Sequence, residues 1–201
     1  MYAITGITGQ VGGALARTLI AQQQAVRAVS MLRPVAGRSE RLGGGRLPLV
    51  VVDYAHTPDA LEKALHTLRH VADARHGQLW CVFGCGGDRD PGKRVDMTNA
   101  ASSADHLVIT SDNPRNENPA DIIAQMMQGA ANLLSNKVQV IEDRAQAILS
   151  AIRHAGKHDV VLIAGKGHED YQEVKGKKLA FRDTDHAALA LATRATRFGG
   201  H

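Results

Sequence analysis

Aromatic residues make up only 3% of the 201-residue sequence, although 44% of it is hydrophobic. The core must therefore be built from Ala, Val, Leu and Ile, as in α/β proteins whose sheets are covered on both faces. Cysteine is scarce too: Cys81 and Cys85 share one strand-like segment and its exit. Two thiols so placed, with no His beside them, make a poor zinc site, so free thiols in a reducing compartment are expected and no metal. No apolar run approaches the ~18 residues that cross a bilayer. No basic start leads into an apolar run and a cleavage site, so the expected compartment is the cytoplasm, without a membrane. There is no run of Lys and Arg and no interleaving of aromatics with basic residues, which excludes a nucleic-acid surface. The net charge of +4 is spread along the chain and suits small anions.

What is present is alternation. Apolar runs at 49–52, 78–83, 106–110, 138–141 and 160–164 read as buried parallel strands. Helical patterns lie between them, opened by Thr57-Pro58, Asn118-Pro119, Asp143 and Asp183 or Thr184. Segments 171–174 and 178–181, around Lys175-Gly176-Lys177, read as a hairpin that adds an antiparallel edge. The expected fold is α/β, a Rossmann-like, doubly wound, mostly parallel sheet with a C-terminal hairpin.

Four motifs follow strand-like runs. Asp112-Asn113-Pro114-Arg115 offers an anion, an amide and a cation within four residues, the Arg placed by a preceding Pro. That is a receptor for a zwitterion: the guanidinium forks onto a carboxylate and the Asp takes an ammonium. A polar turn is the plain alternative. In Phe83-Gly84-Cys85-Gly86-Gly87-Asp88-Arg89-Asp90, the glycines turn the chain and set Arg89 at the carboxyl ends of the strands, where open sheets bind ligands. The alternative is a surface ion pair of Arg89 with Asp88 or Asp90. Gly87 to Lys93 nearly spells a phosphate-binding P-loop. However, Arg94 stands where a Ser or Thr would hold magnesium, and Pro91 removes an N–H. In Asp53-Tyr54-Ala55-His56, the His is a candidate base or orienting group, or a helix cap. Gly165-Lys166-Gly167-His168-Glu169 brings another carboxylate to a strand end, or caps a helix.

Taken in order, segments 50–58, 83–90, 112–115 and 163–169 resemble the carboxy-terminal domain of the Mur ligases. The likeness is nearest to members that add meso-diaminopimelate to the peptidoglycan precursor, and it spans about 31–191. Lysine-adding members lack the Asp-Asn-Pro-Arg form. The resemblance implies a small-molecule amino acid as ligand, held by Arg89, Asp112, Asn113, Arg115, Gly165 and Glu169. Arg89 would meet a carboxylate; the Gly165 carbonyl and Glu169 would meet the ammonium end. It also implies that Arg38, Asp53 and His56 face the nucleotide and a central ATPase domain. In the family a carboxylate is phosphorylated by ATP with magnesium, and an amine then attacks the acyl phosphate. The P-loop, magnesium ligands and uridine-nucleotide site lie on two other domains. No cofactor is therefore expected on this chain, which alone is expected to be inactive.

Residues 1–29 resemble something else, the amino terminus of an atypical short-chain dehydrogenase that binds NADP. Gly6, Gly9 and Gly12 would let backbone approach a pyrophosphate at a helix start, and Arg27 would face a ribose phosphate. A purely structural βαβ unit is the plainer reading, since a Gly-rich βα turn by itself is weak. The expected layout is a βαβ fragment at 1–29, a linker at 30–48, the ligase-like domain at 49–195 and a disordered tail at 196–201. That reading makes the chain a chimera of two unrelated pieces joined near Ser30.

Overall fold

Four of the five apolar runs form the centre of one sheet because each is buried from both sides, whereas 138–141, expected as a buried strand, is a largely exposed edge, with Val140 48% exposed. The computed structural model describes residues 2–4, 26–28, 39–134 and 136–198. They fall into two compact units, Met1–Val35 and Ala36–His201. In the first, strand β1 (Tyr2–Ile4) pairs in parallel with β2 (Val26–Ala28), the pairing that a βαβ crossover produces. Gly6, Gly9 and Gly12 lie outside the described residues, as does the helix expected after them.

The second unit holds β3 (Glu40–Gly43), β4 (Leu49–Asp53), β5 (Leu79–Phe83), β6 (His106–Ile109), β7 (Val138–Val140) and β8 (Val160–Ala164). They form one sheet in the order β3-β4-β8-β5-β6-β7, parallel throughout except for β3. Helices α1 (Pro58–Ala74), α2 (Gly92–Ala101), α3 (Pro119–Gln128), α4 (Arg144–His154) and α5 (Asp183–Phe198) cover it. Successive strand residues face opposite sides. Val51, Cys81, Phe83, Leu107 and Leu162 pack with Leu61 and Leu65 of α1, Met97 of α2 and Met126 of α3. Val50, Val52, Val82, Val108 and Ile163 pack with Ile148 and Ile152 of α4 and Ala187 of α5. Thr57, Asn118 and Asp143 cap α1, α3 and α4 through their side chains, as their types predict.

Three further expectations need correction. The stretch at 30–48 is not all linker, since 40–43 is strand β3. Its glycines form a return turn, with Gly43, Gly44 and Gly45 at φ of 74°, 93° and 64°, so the chain comes back antiparallel on β4. The antiparallel edge is therefore β3. The C-terminal hairpin, β9 (Tyr171–Val174) and β10 (Lys177–Ala180), forms its own two-stranded sheet. Lys175 and Gly176 turn it with φ of 48° and 72°, the positive pair that a tight hairpin requires. Residues 196–198, expected in a disordered tail, complete α5.

Candidate functional site

The loops leaving β4, β5, β6 and β8 enclose a cavity of about 550 Å³. Arg89, Asp112, Asn113, Arg115, Gly165 and Glu169 all line it, so the six residues named from the sequence come together. Tyr54, His56 and Lys93 line it as well.

Two loops touch through backbone. A Cβ on Gly87 would stand 2.0 Å from the Pro114 carbonyl oxygen, so only glycine fits there. The Gly87 N–H donates to the Asn113 carbonyl at 2.9 Å, tying the Gly84–Asp90 loop to the Asp112–Arg115 loop. Asp88 accepts from the Asn116 amide at 2.8 Å, and Asp90 accepts from the Gly92 N–H at 3.0 Å. Both carboxylates are thus engaged locally, and Arg89 has no ion pair among the described residues, nor has Lys93. The ion-pair alternative for Arg89 falls. Arg94 is buried and serves the protein: it donates to Glu117 at 2.8 Å and to Gln125 at 2.7 Å. The bonds Glu117 accepts, first from Arg94 and then from the Asp88 N–H, hold its carboxyl below its usual range.

Arg115 sits at φ 53°, uncommon for a residue with a side chain. The hairpin holds it there: its N–H donates to the Glu173 carbonyl at 3.0 Å, and its carbonyl accepts from the Lys175 N–H at 2.6 Å. Its Nη1 donates to the Gly87 carbonyl at 2.7 Å, and its Nε lies 3.3 Å from the Glu173 carboxylate. The guanidinium is thus held by the Gly87 carbonyl and paired with Glu173.

The acidic wall is built around Lys166, whose side chain is fully buried. Its Nζ donates to Asn113 Oδ1 at 2.9 Å and to Glu169 Oε2 at 3.0 Å, and lies 3.6 Å from Asp112 Oδ1. Asn113 Nδ2 donates to the same Glu169 oxygen at 2.8 Å. Burial pushes the Asp112 carboxyl up, against the pull of Arg144 and Lys166. Gly165 adopts φ 116°, and a Cβ there would meet Asp112 Oδ2 at 2.7 Å. The segment after Glu169 is strand β9, so the helix-cap alternative for 165–169 falls.

Cys85 lines the cavity, but burial first, then Asp112, pushes its thiol up to about 12, which removes it as a nucleophile. Burial raises Cys81 as well. Thr57, not His56, caps α1; the His56 Nδ1 instead meets the Tyr54 carbonyl at 2.8 Å. Asp53 accepts from Ser39 and from the Ala55 N–H, so it holds the strand end. Arg38 lies outside the described residues.

Lys166, Lys93 and Glu173 carry no role in the reading from sequence. Lys166 was visible inside its Gly-Lys-Gly context, but nothing in a sequence separates a buried lysine from an exposed one. The result is a cavity lined by the cations Arg89 and Lys93, which have no ion pair among the described residues, and by the carboxylates Asp90, Asp112 and Glu169. It can orient a small zwitterion by both ends.

The chain matches the family model "Mur ligase, glutamate ligase domain" over residues 37–167. It is 61% identical over 193 residues to the UDP-N-acetylmuramoyl-L-alanyl-D-glutamate–2,6-diaminopimelate ligase of Janthinobacterium sp. (strain Marseille). That match covers 96% of this chain and 38% of the relative. The like-named ligase of Ralstonia nicotianae is 50% identical over 200 residues, again 96% and 38%. The chain thus spans 38% of the length of these curated relatives. A solved structure of a ligase of that name matches with TM-score 0.72 and 45% identity, over 80% of this chain and 32% of that one. A UDP-N-acetylmuramate-alanine ligase from Thermotoga maritima shares the fold, with TM-score 0.58 at 17% identity, over 93% of this chain and 38% of that one. The first match leaves 8 of the 201 residues outside it (201 less 193), so it reaches well into 1–29. A junction of unrelated pieces near Ser30 is not what a match of that span describes.

Proposed function

The chain belongs to the Mur ligase family, of which it carries the C-terminal, glutamate ligase domain, and on that premise we propose that its cavity receives the amino acid to be joined. The ligand class is a diamino dicarboxylic acid, of which meso-diaminopimelate is the example. One observation carries this reading: six residues from three separate motifs, two Arg and two carboxylates among them, line one cavity. Arg115 and Arg89 supply donors for carboxylates. Glu169 and Asp112, with Lys166 between them, leave one net negative charge for an ammonium. Asn113 orients Glu169, and the bare Gly165 backbone leaves room beside Asp112.

The reaction supported is formation of an amide between an activated carboxylate and the amine of that amino acid, in the cytoplasm, with ATP and magnesium held elsewhere. The chain's own residues bind and orient; they do not activate phosphate. The near P-loop at Gly87 to Lys93 has Pro91 at its helix start, and its Arg94 is committed to Glu117. An NADP site at Gly6, Gly9 and Gly12 is the rival, and no observation favours it.

The test is an NMR titration of the 201-residue chain with meso-diaminopimelate and with lysine. Shifts confined to the cavity, and weaker binding of lysine, which lacks the distal carboxylate, are expected. With the cavity open to water, affinity should be about millimolar. Equal shifts from both amino acids would overturn the reading.

A further inference from the structure

We infer that Lys166 is an internal counter-ion and a positioning residue: its buried ammonium sets the charge of the acidic wall and locks Glu169 and Asn113 in the orientation that meets a ligand ammonium. The claim rests on the amino-acid reading above only for its ligand arm. The rest stands on the geometry of the side chains.

A fully buried ammonium persists only when paired and hydrogen-bonded. Lys166 finds every partner inside the candidate site: Asn113 Oδ1 at 2.9 Å, Glu169 Oε2 at 3.0 Å and Asp112 Oδ1 at 3.6 Å. Among the described residues Nζ has no other ion-pair partner; the Tyr171 ring of β9 lies 5.7 Å away. On the far side Asp112 feels Arg144 of α4 and Asp183 of α5, which are paired with each other.

The ammonium has two effects. First, it assigns the Asn113 amide. Lys166 has only donors, so the oxygen of Asn113 must face it, along with the Glu173 N–H at 2.9 Å. The NH2 group is then forced toward Glu169, where it donates at 2.8 Å. Both of these donors take Oε2, so Oε1 is the oxygen left for a ligand. Second, it corrects the charge. Asp112 and Glu169 alone would place two negative charges beside one ammonium. A nearby cation favours the ionised form of a carboxyl, and its loss favours the neutral form. With Lys166 the wall carries one net charge, matched to one ammonium. Without it, a proton would compete with the ligand for the pair.

The test uses the whole 201-residue chain and two variants, Lys166→Met and Lys166→Met with Glu169→Gln. The carboxyl carbons of Asp112 and Glu169 are followed by 13C NMR against pH. In Lys166→Met at least one of them should titrate higher than in the wild type by about one unit or more. Unchanged carboxyl titration overturns the inference. If Lys166→Met does not fold, the double variant decides: recovery of the fold supports a charge role, and equal loss overturns it in favour of packing. In the ligand arm, meso-diaminopimelate should bind Lys166→Met about tenfold more weakly than wild type at pH 6.5, with the gap narrowing by pH 8.5 as the carboxyls ionise. A gap that stays constant with pH overturns the inference. Absence of binding to wild type sinks the amino-acid reading alone, because the carboxyl titration still decides the role of Lys166.

Discussion

Arg144 and Asp183 meet through two parallel hydrogen bonds, Nε to Oδ1 and Nη2 to Oδ2, each 2.8 Å long, with both side chains fully buried. Burial, the largest single influence, would lower the guanidinium's pKa, but the charge and hydrogen bonds of Asp183, with Asp112 and Glu169, together outweigh it and raise the pKa. Arg144 also donates to the Ala164 carbonyl at 2.9 Å, one residue before Gly165. The pair therefore joins α4 and α5 to the strand end that carries the acidic wall. Removing one partner leaves a buried charge without its mate. Asp183→Ala should cost about 3–5 kcal/mol, far more than replacing both by apolar residues. Urea unfolding of the two variants measures it, and a loss under about 1 kcal/mol for Asp183→Ala would contradict the account.

Asp105 predicts a pH effect. Burial by itself would raise its carboxyl, but the hydrogen bonds from Arg69 at 2.8 Å and the Leu79 N–H at 2.7 Å outweigh burial and hold it below its usual range. A carboxyl lowered by folding adds stability above its unfolded value, about 4, and loses it as pH falls through the folded value. Asp105→Asn should thus be less stable than wild type at pH 7, and the two should converge in acid. Parallel thermal melts from pH 7 to pH 2.5 would show it; a constant difference would rule it out.

Arg115 is held by the hairpin and aimed at the cavity, so Arg115→Ala should weaken meso-diaminopimelate more than lysine. A bidentate pair contributes on the order of 1.5–3 kcal/mol when shielded and less here, so about a tenfold loss is expected. Titration by NMR reads it, and an identical loss for both amino acids would show that Arg115 does not sense the second carboxylate.

At Gly165 the backbone stands at φ 116° and a Cβ would press on Asp112. Gly165→Ala should destabilise the chain by more than about 1 kcal/mol and abolish cavity shifts on titration. Denaturation and the same NMR experiment test both; a neutral substitution would mean that the loop can move away from Asp112.

The chain by itself should not release phosphate from ATP, because Pro91 and the committed Arg94 leave no phosphate cradle. A sensitive phosphate assay against a heat-killed control checks this, and turnover above the control would place a nucleotide site on this chain.

Runs such as Val50-Val51-Val52 and Val161-Leu162-Ile163, buried on both faces, announce parallel strands because no alternation is needed when neither side meets water. Thr57, Asn118 and Asp143 mark their helices because a short polar side chain satisfies a backbone N–H locally. The six cavity residues were legible because their motifs follow strands and resemble those of the Mur ligases. The strands and caps rest on local chemistry and the six residues on motif likeness, so sequence determined both. Only the tertiary structure decided that 40–43 pairs antiparallel as an edge, since the same glycines serve a linker or a turn. It alone decided that Glu173 braces Arg115 and that Lys166 is buried between Asp112 and Glu169. Those partners come from different loops, and burial of a charge depends on what the rest of the chain stacks around it.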